Sequence, residues 1–153
     1  MRLPADEVNR FPAVDEAKID ELLMKEIADN DQKIVVLDDD PTGVQTVHDI
    51  SVYTDWSVES ITAGFKEENK VFYILTNSRG LTVEETTKAH KEMAANIAAA
   101  AKATGRDYMI MSRSDSTLRG HYPLEPMLLK EGMEADGKHL DGEVMCPCAF
   151  RVC

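Results

Sequence analysis

Little in this chain of 153 residues points to a membrane, an export route or a polyanionic partner. No apolar run approaches the ~20 residues needed to cross a bilayer, and the opening "MRLPADEVNRFPAVDEAK" lacks the apolar core of a signal peptide. Basic residues are the minority, 17 Lys and Arg against 28 Asp and Glu, and the net charge of −11 disfavours attraction to nucleic acid or an anionic bilayer. Cysteine is scarce and confined to Cys146, Cys148 and Cys153. An odd cluster at one end makes no disulfide framework, and a Cys-x-Cys pair falls short of structural zinc, which wants four ligands at wider spacing. Reduced, incidental thiols and a cytoplasmic setting are expected. Glycine-rich phosphate loops are absent as well: neither Gly-x-x-x-x-Gly-Lys-Ser/Thr nor Gly-x-Gly-x-x-Gly occurs, and no histidines are spaced as His-x-x-His or His-Glu-x-x-His.

What is present is an ordinary globular composition, 43% hydrophobic and 29% charged, in a chain long enough for one real core. "DEAKIDELLMKEIAD" (15–29) places Ile19, Leu22, Leu23 and Ile27 on one helical face. "IVVL" (34–37) reads as a strand buried on both faces, followed by strands at "ISVY" (50–53), "VFYIL" (71–75), "DYMIMS" (107–112) and "GEVMC" (142–146). Helices are predicted over 57–69, where Gly64 weakens the pattern, over 82–104, with a Thr82-x-x-Glu85 capping box and Gly105 as the stop, and after Pro123. The alternation predicts an α/β fold: a mostly parallel sheet of about five strands flanked by helices in three layers. Residues 1–32 read as a helical extension and 33–153 as the domain proper.

In such folds ligands collect outside the carboxyl ends of the strands. Three of those ends carry unusual polar turns: "DDDPTG", "TNSRG" and "SRSDSTLRGH". Asp38, Asp39 and Asp40 leave the first strand together, and packed carboxylates share protons, hold cations or meet hydroxyls. Taken singly, each is equally a turn former through Asx hydrogen bonds. Gly43 permits a sharp turn or a close ligand approach. Arg79, Arg113 and Arg119 bring planar forks that match a carboxylate or phosphate, and the hydroxyls beside them complete a cradle. The plain alternative is a salt-bridged loop in which Asp115 pairs with Arg113 or Arg119. His121 follows the loop within reach of a ligand, whereas His48, His90 and His139 read as surface residues.

"VLDDDPTGVQT", "TNSRGL" and "SRSDSTLRGHYPLE", in that order, resemble the N-terminal domain of the four-carbon acid sugar kinases over about residues 33 to 147. The resemblance implies an ATP-dependent kinase acting on threonate, erythronate or an oxo-tetronate, whose N-terminal domain binds the sugar acid. By motif it implies acid-sugar contacts at Asp39, Arg79, Asp115, Ser116, Thr117, Arg119 and Gly120, with Asp39 as the catalytic base, though the third aspartate leaves the match open by one place. Asp38, Asp40, Thr42, Gly43, Ser78 and Arg113 complete the candidate substrate-binding set. ATP and Mg²⁺ are implied on a separate C-terminal domain. The chain turns to "CAFRVC" after "CP" (146–147), so a truncated kinase, inactive alone, is the expectation. No metal ligand set is assigned, a homo-oligomer is open, and no nucleic acid or membrane partner is expected. A non-catalytic sugar-acid sensor and a metal-dependent phosphatase are the alternatives.

Overall fold

The computed structural model describes residues 14–115 and 119–146. The chain divides into two units between Asp31 and Gln32. The first holds the helix α1 (Glu16–Asp29), begun by Asp15, whose carboxylate accepts the Lys18 N–H at 3.1 Å. This satisfies one of the donors that every helix start leaves open. Along α1 the side chains of Ile19, Leu22, Leu23 and Ile27 are each about half exposed.

The second unit runs β1 (Lys33–Asp38), β2 (Val52–Tyr53), α2 (Val58–Lys66), β3 (Val71–Leu75), α3 (Val83–Thr104), β4 (Tyr108–Arg113) and α4 (Leu124–Ala135). All pairings are parallel and the strand order is β2-β3-β1-β4. The β-branched run of β1 therefore takes the centre, hydrogen-bonded on both sides, and all but one of its six residues are buried. Alternation along the strands sends Val35 and Leu37 of β1, with Phe72 and Ile74 of β3, into one core. There they meet Ile61 and Phe65 of α2, Met93 and Ile97 of α3, and Leu129 and Met133 of α4. Phe65 sits edge-on to Phe72 and to Tyr108, with ring centroids 5.6 and 6.1 Å apart.

One correction to the sequence reading has a physical reason. The sheet has four strands among the described residues, because Gly142–Cys146 forms none. Val144 in that segment is 97% exposed, so its strand propensity meets neither a ladder nor an apolar face. Within this unit α2, α3 and α4 pack into the one core with Val35, Leu37, Phe72 and Ile74 of the sheet. The crossovers β2–α2–β3 and β3–α3–β4 step in the same direction across the sheet. Right-handed connections then put both helices on the same side. On the other face, Met109 and Met111 of β4 stay about half exposed.

The longest helix, α3, forms where the sequence places it. The Thr82 hydroxyl accepts the Glu85 N–H while Glu85 accepts the Thr82 N–H, and Gly105 closes the other end at φ 65°. Register brings the strand ends level: Asp38 stands opposite Leu75 of β3 and Arg113 of β4. The turns that leave these three strands therefore emerge together at one edge.

Candidate functional site

The three aspartates that leave β1 have different duties. Asp38, 2% exposed, accepts the Asp40 N–H at 3.2 Å and the Arg113 guanidinium at 2.8 Å. Asp40 accepts the Thr42 N–H and hydroxyl, both at 2.7 Å, and is also held by Arg79. Each of these two carboxylates thus caps an N–H two residues on, the Asx geometry that shapes a turn. The Thr42 N–H and hydroxyl, and then the Arg79 and Arg119 charges, hold the Asp40 carboxyl below its usual range.

Asp39 does neither. It is 3% exposed and turns away from its own loop toward the ends of β3 and β4. Arg79 grips it with two hydrogen bonds, Nη2 to Oδ1 at 3.0 Å and Nε to Oδ2 at 3.2 Å. The Asp115 N–H reaches Oδ2 at 3.2 Å and the Ser114 hydroxyl at 3.4 Å. Asp39, with Asp40 and Asp115 behind it, keeps the Arg79 guanidinium above its ordinary pKa.

The turn after β3 fixes Arg79. Thr76 donates its N–H and hydroxyl to the Asp38 carbonyl at 2.8 and 3.0 Å, tying β3 to β1 at the edge. Asn77 then takes a left-handed conformation, φ 51°, and buried Ser78 lies 3.0 Å from the Thr76 hydroxyl. Ser78 is thus a brace under Arg79. After β4, Asp115 accepts the Arg119 Nε at 2.7 Å and lies 3.8 Å from Arg79. Asp115 holds the Arg119 guanidinium above its ordinary pKa. The Arg119 side chain is 63% exposed and that of Arg113 is 40% exposed.

Two glycines let these groups close in. A Cβ on Gly43 would lie 1.7 Å from Asp38 Oδ2 and 1.9 Å from Arg113 Nη1, so no side chain fits beneath that ion pair. A Cβ on Gly120 would lie 2.4 Å from the Ser114 hydroxyl and 3.2 Å from Asp39 Oδ2.

The structure therefore brings Asp38, Asp39, Asp40, Thr42, Gly43, Ser78, Arg79, Arg113, Asp115, Arg119 and Gly120 to one edge. Ser116 and Thr117 lie outside the described residues. Each arginine has an acidic partner within the chain: Arg113 on Asp38, Arg79 on Asp39 and Asp40, Arg119 on Asp115. His121 donates through Nε2 to the Leu81 carbonyl at 2.9 Å, which ties the loop to the start of α3. Among the described residues, no three His, Cys, Asp or Glu side chains are grouped to hold a metal ion.

Sequence reasoning missed Ser114, Glu125 and His90. Ser114 and Glu125 lie inside "SRSDSTLRGHYPLE". Burial was the missing information, since Glu125 is 2% exposed. His90 does not lie on the surface but is 2% exposed. Its place on α3, three residues before Met93 and seven before Ile97, was the available signal: that stripe faces the core. Burial holds its imidazole below the ordinary histidine pKa.

The family described as sugar-binding N-terminal domain matches residues 34–152, and the chain belongs to it. That family is the N-terminal domain of the four-carbon acid sugar kinases, which gives the unit a sugar-binding role. No curated protein and no solved structure matches the chain. Among the described residues, no helix is long and apolar enough to cross a membrane.

Proposed function

We propose that this member of the sugar-binding N-terminal domain family holds a four-carbon sugar acid (threonate, erythronate or an oxo-tetronate) for ATP-dependent phosphorylation, with Asp39 orienting or deprotonating the attacking hydroxyl. One observation carries the assignment of Asp39. It is the aspartate of the trio whose carboxylate is not engaged by its own turn, while Asp38 and Asp40 each cap an N–H two residues on. Its Oδ1 accepts a single hydrogen bond among the described residues, from Arg79. A carboxylate oxygen has room for a second, and a substrate hydroxyl is the right donor.

The arginines supply the other half of the recognition. Four carboxylates, Asp38, Asp39, Asp40 and Asp115, share Arg79, Arg113 and Arg119. A sugar acid offers both chemistries such a mixed cluster can serve, a carboxylate for a guanidinium and hydroxyls for carboxylates. Arg113 and Arg119, the more exposed, are the forks a ligand carboxylate reaches. The pairing of these aspartates with arginines favours this reading over a metal-dependent phosphatase.

ATP supplies the phosphoryl group in such a reaction, and Mg²⁺ accompanies it. The sequence has neither Gly-rich phosphate loop, and the resemblance puts nucleotide binding on a separate C-terminal domain. The task of this unit is to bind, orient and remove a proton. Calorimetric titration of the chain with threonate and erythronate is expected to show saturable binding, and incubation with ATP, Mg²⁺ and the same acids to give no phosphorylated product. The reading is overturned if neither those acids nor an oxo-tetronate binds. Product formation by this chain would overturn the assignment of nucleotide binding to residues outside it.

A further inference from the structure

Behind Asp39 an exposed serine, Ser114, stands between it and two buried polar groups, Glu125 and His90, to which sugar binding gives no task. The Ser114 hydroxyl oxygen stands 3.4 Å from Asp39 Oδ2 and 3.4 Å from Glu125 Oε2. The other oxygen of Glu125, Oε1, accepts no hydrogen bond among the described residues, although His90 Nε2 lies 3.7 Å away. On the far side of the ring, His90 Nδ1 is 2.9 Å from the Thr86 carbonyl.

These contacts fix where hydrogens are needed. A carbonyl can only accept, so Nδ1 carries a hydrogen, and Nε2 of a neutral ring is then a lone pair. That lone pair faces a carboxylate oxygen in a dry interior, an arrangement that costs free energy unless a proton lies between them. Ser114 has the matching shortage, because it owns one hydrogen and faces two carboxylates. One proton on Glu125 serves these needs by turns, lying toward Ser114 or toward His90.

We propose that Glu125 and His90 hold one proton between them and, through Ser114, form a reversible hydrogen-bond chain that supports Asp39 both ionised and protonated. The proposal rests on Asp39 being the group that takes the hydroxyl proton of the substrate. With Asp39 ionised, Glu125 Oε2–H donates to Ser114 and the Ser114 hydroxyl donates to Asp39 Oδ2. With a proton taken onto Oδ2, Asp39 donates to Ser114, the Glu125 carboxyl turns over about its Cγ–Cδ bond so that its O–H points to His90 Nε2, and Ser114 turns to donate to the Glu125 oxygen left facing it. The substrate O–H bond breaks as the Asp39 O–H bond forms. Ser114 keeps its own hydrogen, the pair keeps its single proton, and no net charge enters the interior.

The surroundings agree with this count. His90 on α3 faces Glu125 of α4 and His121 of the preceding loop, and burial keeps a second proton off its ring. Gly120 lies over the row: a Cβ there would lie 2.4 Å from the Ser114 oxygen and 3.6 Å from Glu125 Oε2. Separations of this size at catalytic groups tighten when a ligand closes the site. Ser114, Glu125 and His90 are thus positioning residues that act through one another on Asp39.

The test follows the carboxyl carbon of Glu125 and the ring nitrogens of His90 by NMR in this chain, between about pH 5 and pH 8. The expected result is a ring with hydrogen on Nδ1 and a single titration step reported by both residues. Asp39→Asn is expected to shift that step, and adding Ser114→Ala to abolish the shift, which a merely structural serine would not do. Glu125→Gln, similar in shape, is expected to remove the step from the His90 signals, and this variant reports even where Asp39→Asn does not fold. Independent titration of the two residues, hydrogen on Nε2 with Nδ1 bare, or a shift by Asp39→Asn that persists with alanine at 114 would overturn the proposal. Absence of sugar-acid binding would instead overturn the role of Asp39 and leave the proton count standing.

Discussion

At the amino end of the sheet, Lys33 is wholly buried, and its ammonium donates to the Glu67 carbonyl at 2.6 Å and to the Asn69 carbonyl. Beside it Lys138 pairs with Asp107 and lies over the Tyr108 ring, 4.2 Å from the centroid, while Gln32 donates to Asp107 at 2.8 Å. At the carboxyl end of the same strands, Arg79 is shared among Asp39, Asp40 and Asp115, and Asp39 Oδ1 accepts a single hydrogen bond among the described residues. The first set locks loops to strand starts through backbone carbonyls and local pairs. The second leaves carboxylate oxygens in hand, and glycines replace side chains over it. Charge at a strand end is therefore not evidence of a site; the distinction lies in whether any acceptor remains for a ligand.

Breaking each end separately sharpens that difference. The largest effect is expected from Arg79→Ala, which leaves buried Asp39 without its guanidinium. A stability loss of about 3 kcal/mol in chemical denaturation, together with loss of sugar-acid binding, is the expected outcome. Lys33→Met removes a buried ammonium that donates to two part-buried carbonyls and is expected to cost about 2 kcal/mol in the same measurement. Binding of the sugar acid should be unchanged in that variant.

Gly43→Ala comes next. Its methyl would displace the Asp38–Arg113 pair and is expected to cost about 1 kcal/mol of stability while weakening binding more than tenfold by calorimetry. The smallest effect concerns acid. Asp40 and Asp107, one at each end, both titrate below the ordinary value of 3.8 in the folded chain, Asp40 because of Thr42 and Asp107 because of Lys138. A depressed folded pKa gives stability that is present above the unfolded value and lost as pH falls through the folded one. Stability should therefore drop as pH falls below 3.8, and Asp40→Asn and Asp107→Asn should each flatten that drop. Thermal melts across this range check both.

The parts of the fold legible in the sequence were those with local causes. The β-branched run of β1 and the capping box and glycine stop of α3 carry their signals within a few residues. The segment Gly142–Cys146 has a strand-like composition, but a strand also needs a partner ladder, and composition says nothing about that. For the site, the convergence of three polar turns was legible because parallel strands must end on the same edge. Which carboxylate mates with which arginine was not, since it depends on register: Arg113 meets Asp38 because the two stand opposite in the β1–β4 ladder. His90 escaped notice because a polar side chain in an apolar stripe looks like a break in the pattern until burial is known.

The central claim is that ligand chemistry resides at the carboxyl end alone. Titration of threonate into the unaltered chain, Asp39→Asn and Lys138→Ala tests it most directly. The account predicts saturable binding to the unaltered chain and to Lys138→Ala, and a loss of at least about tenfold in Asp39→Asn, the scale of one charged hydrogen bond. Binding that survives Asp39→Asn intact, or that Lys138→Ala weakens equally, would contradict it.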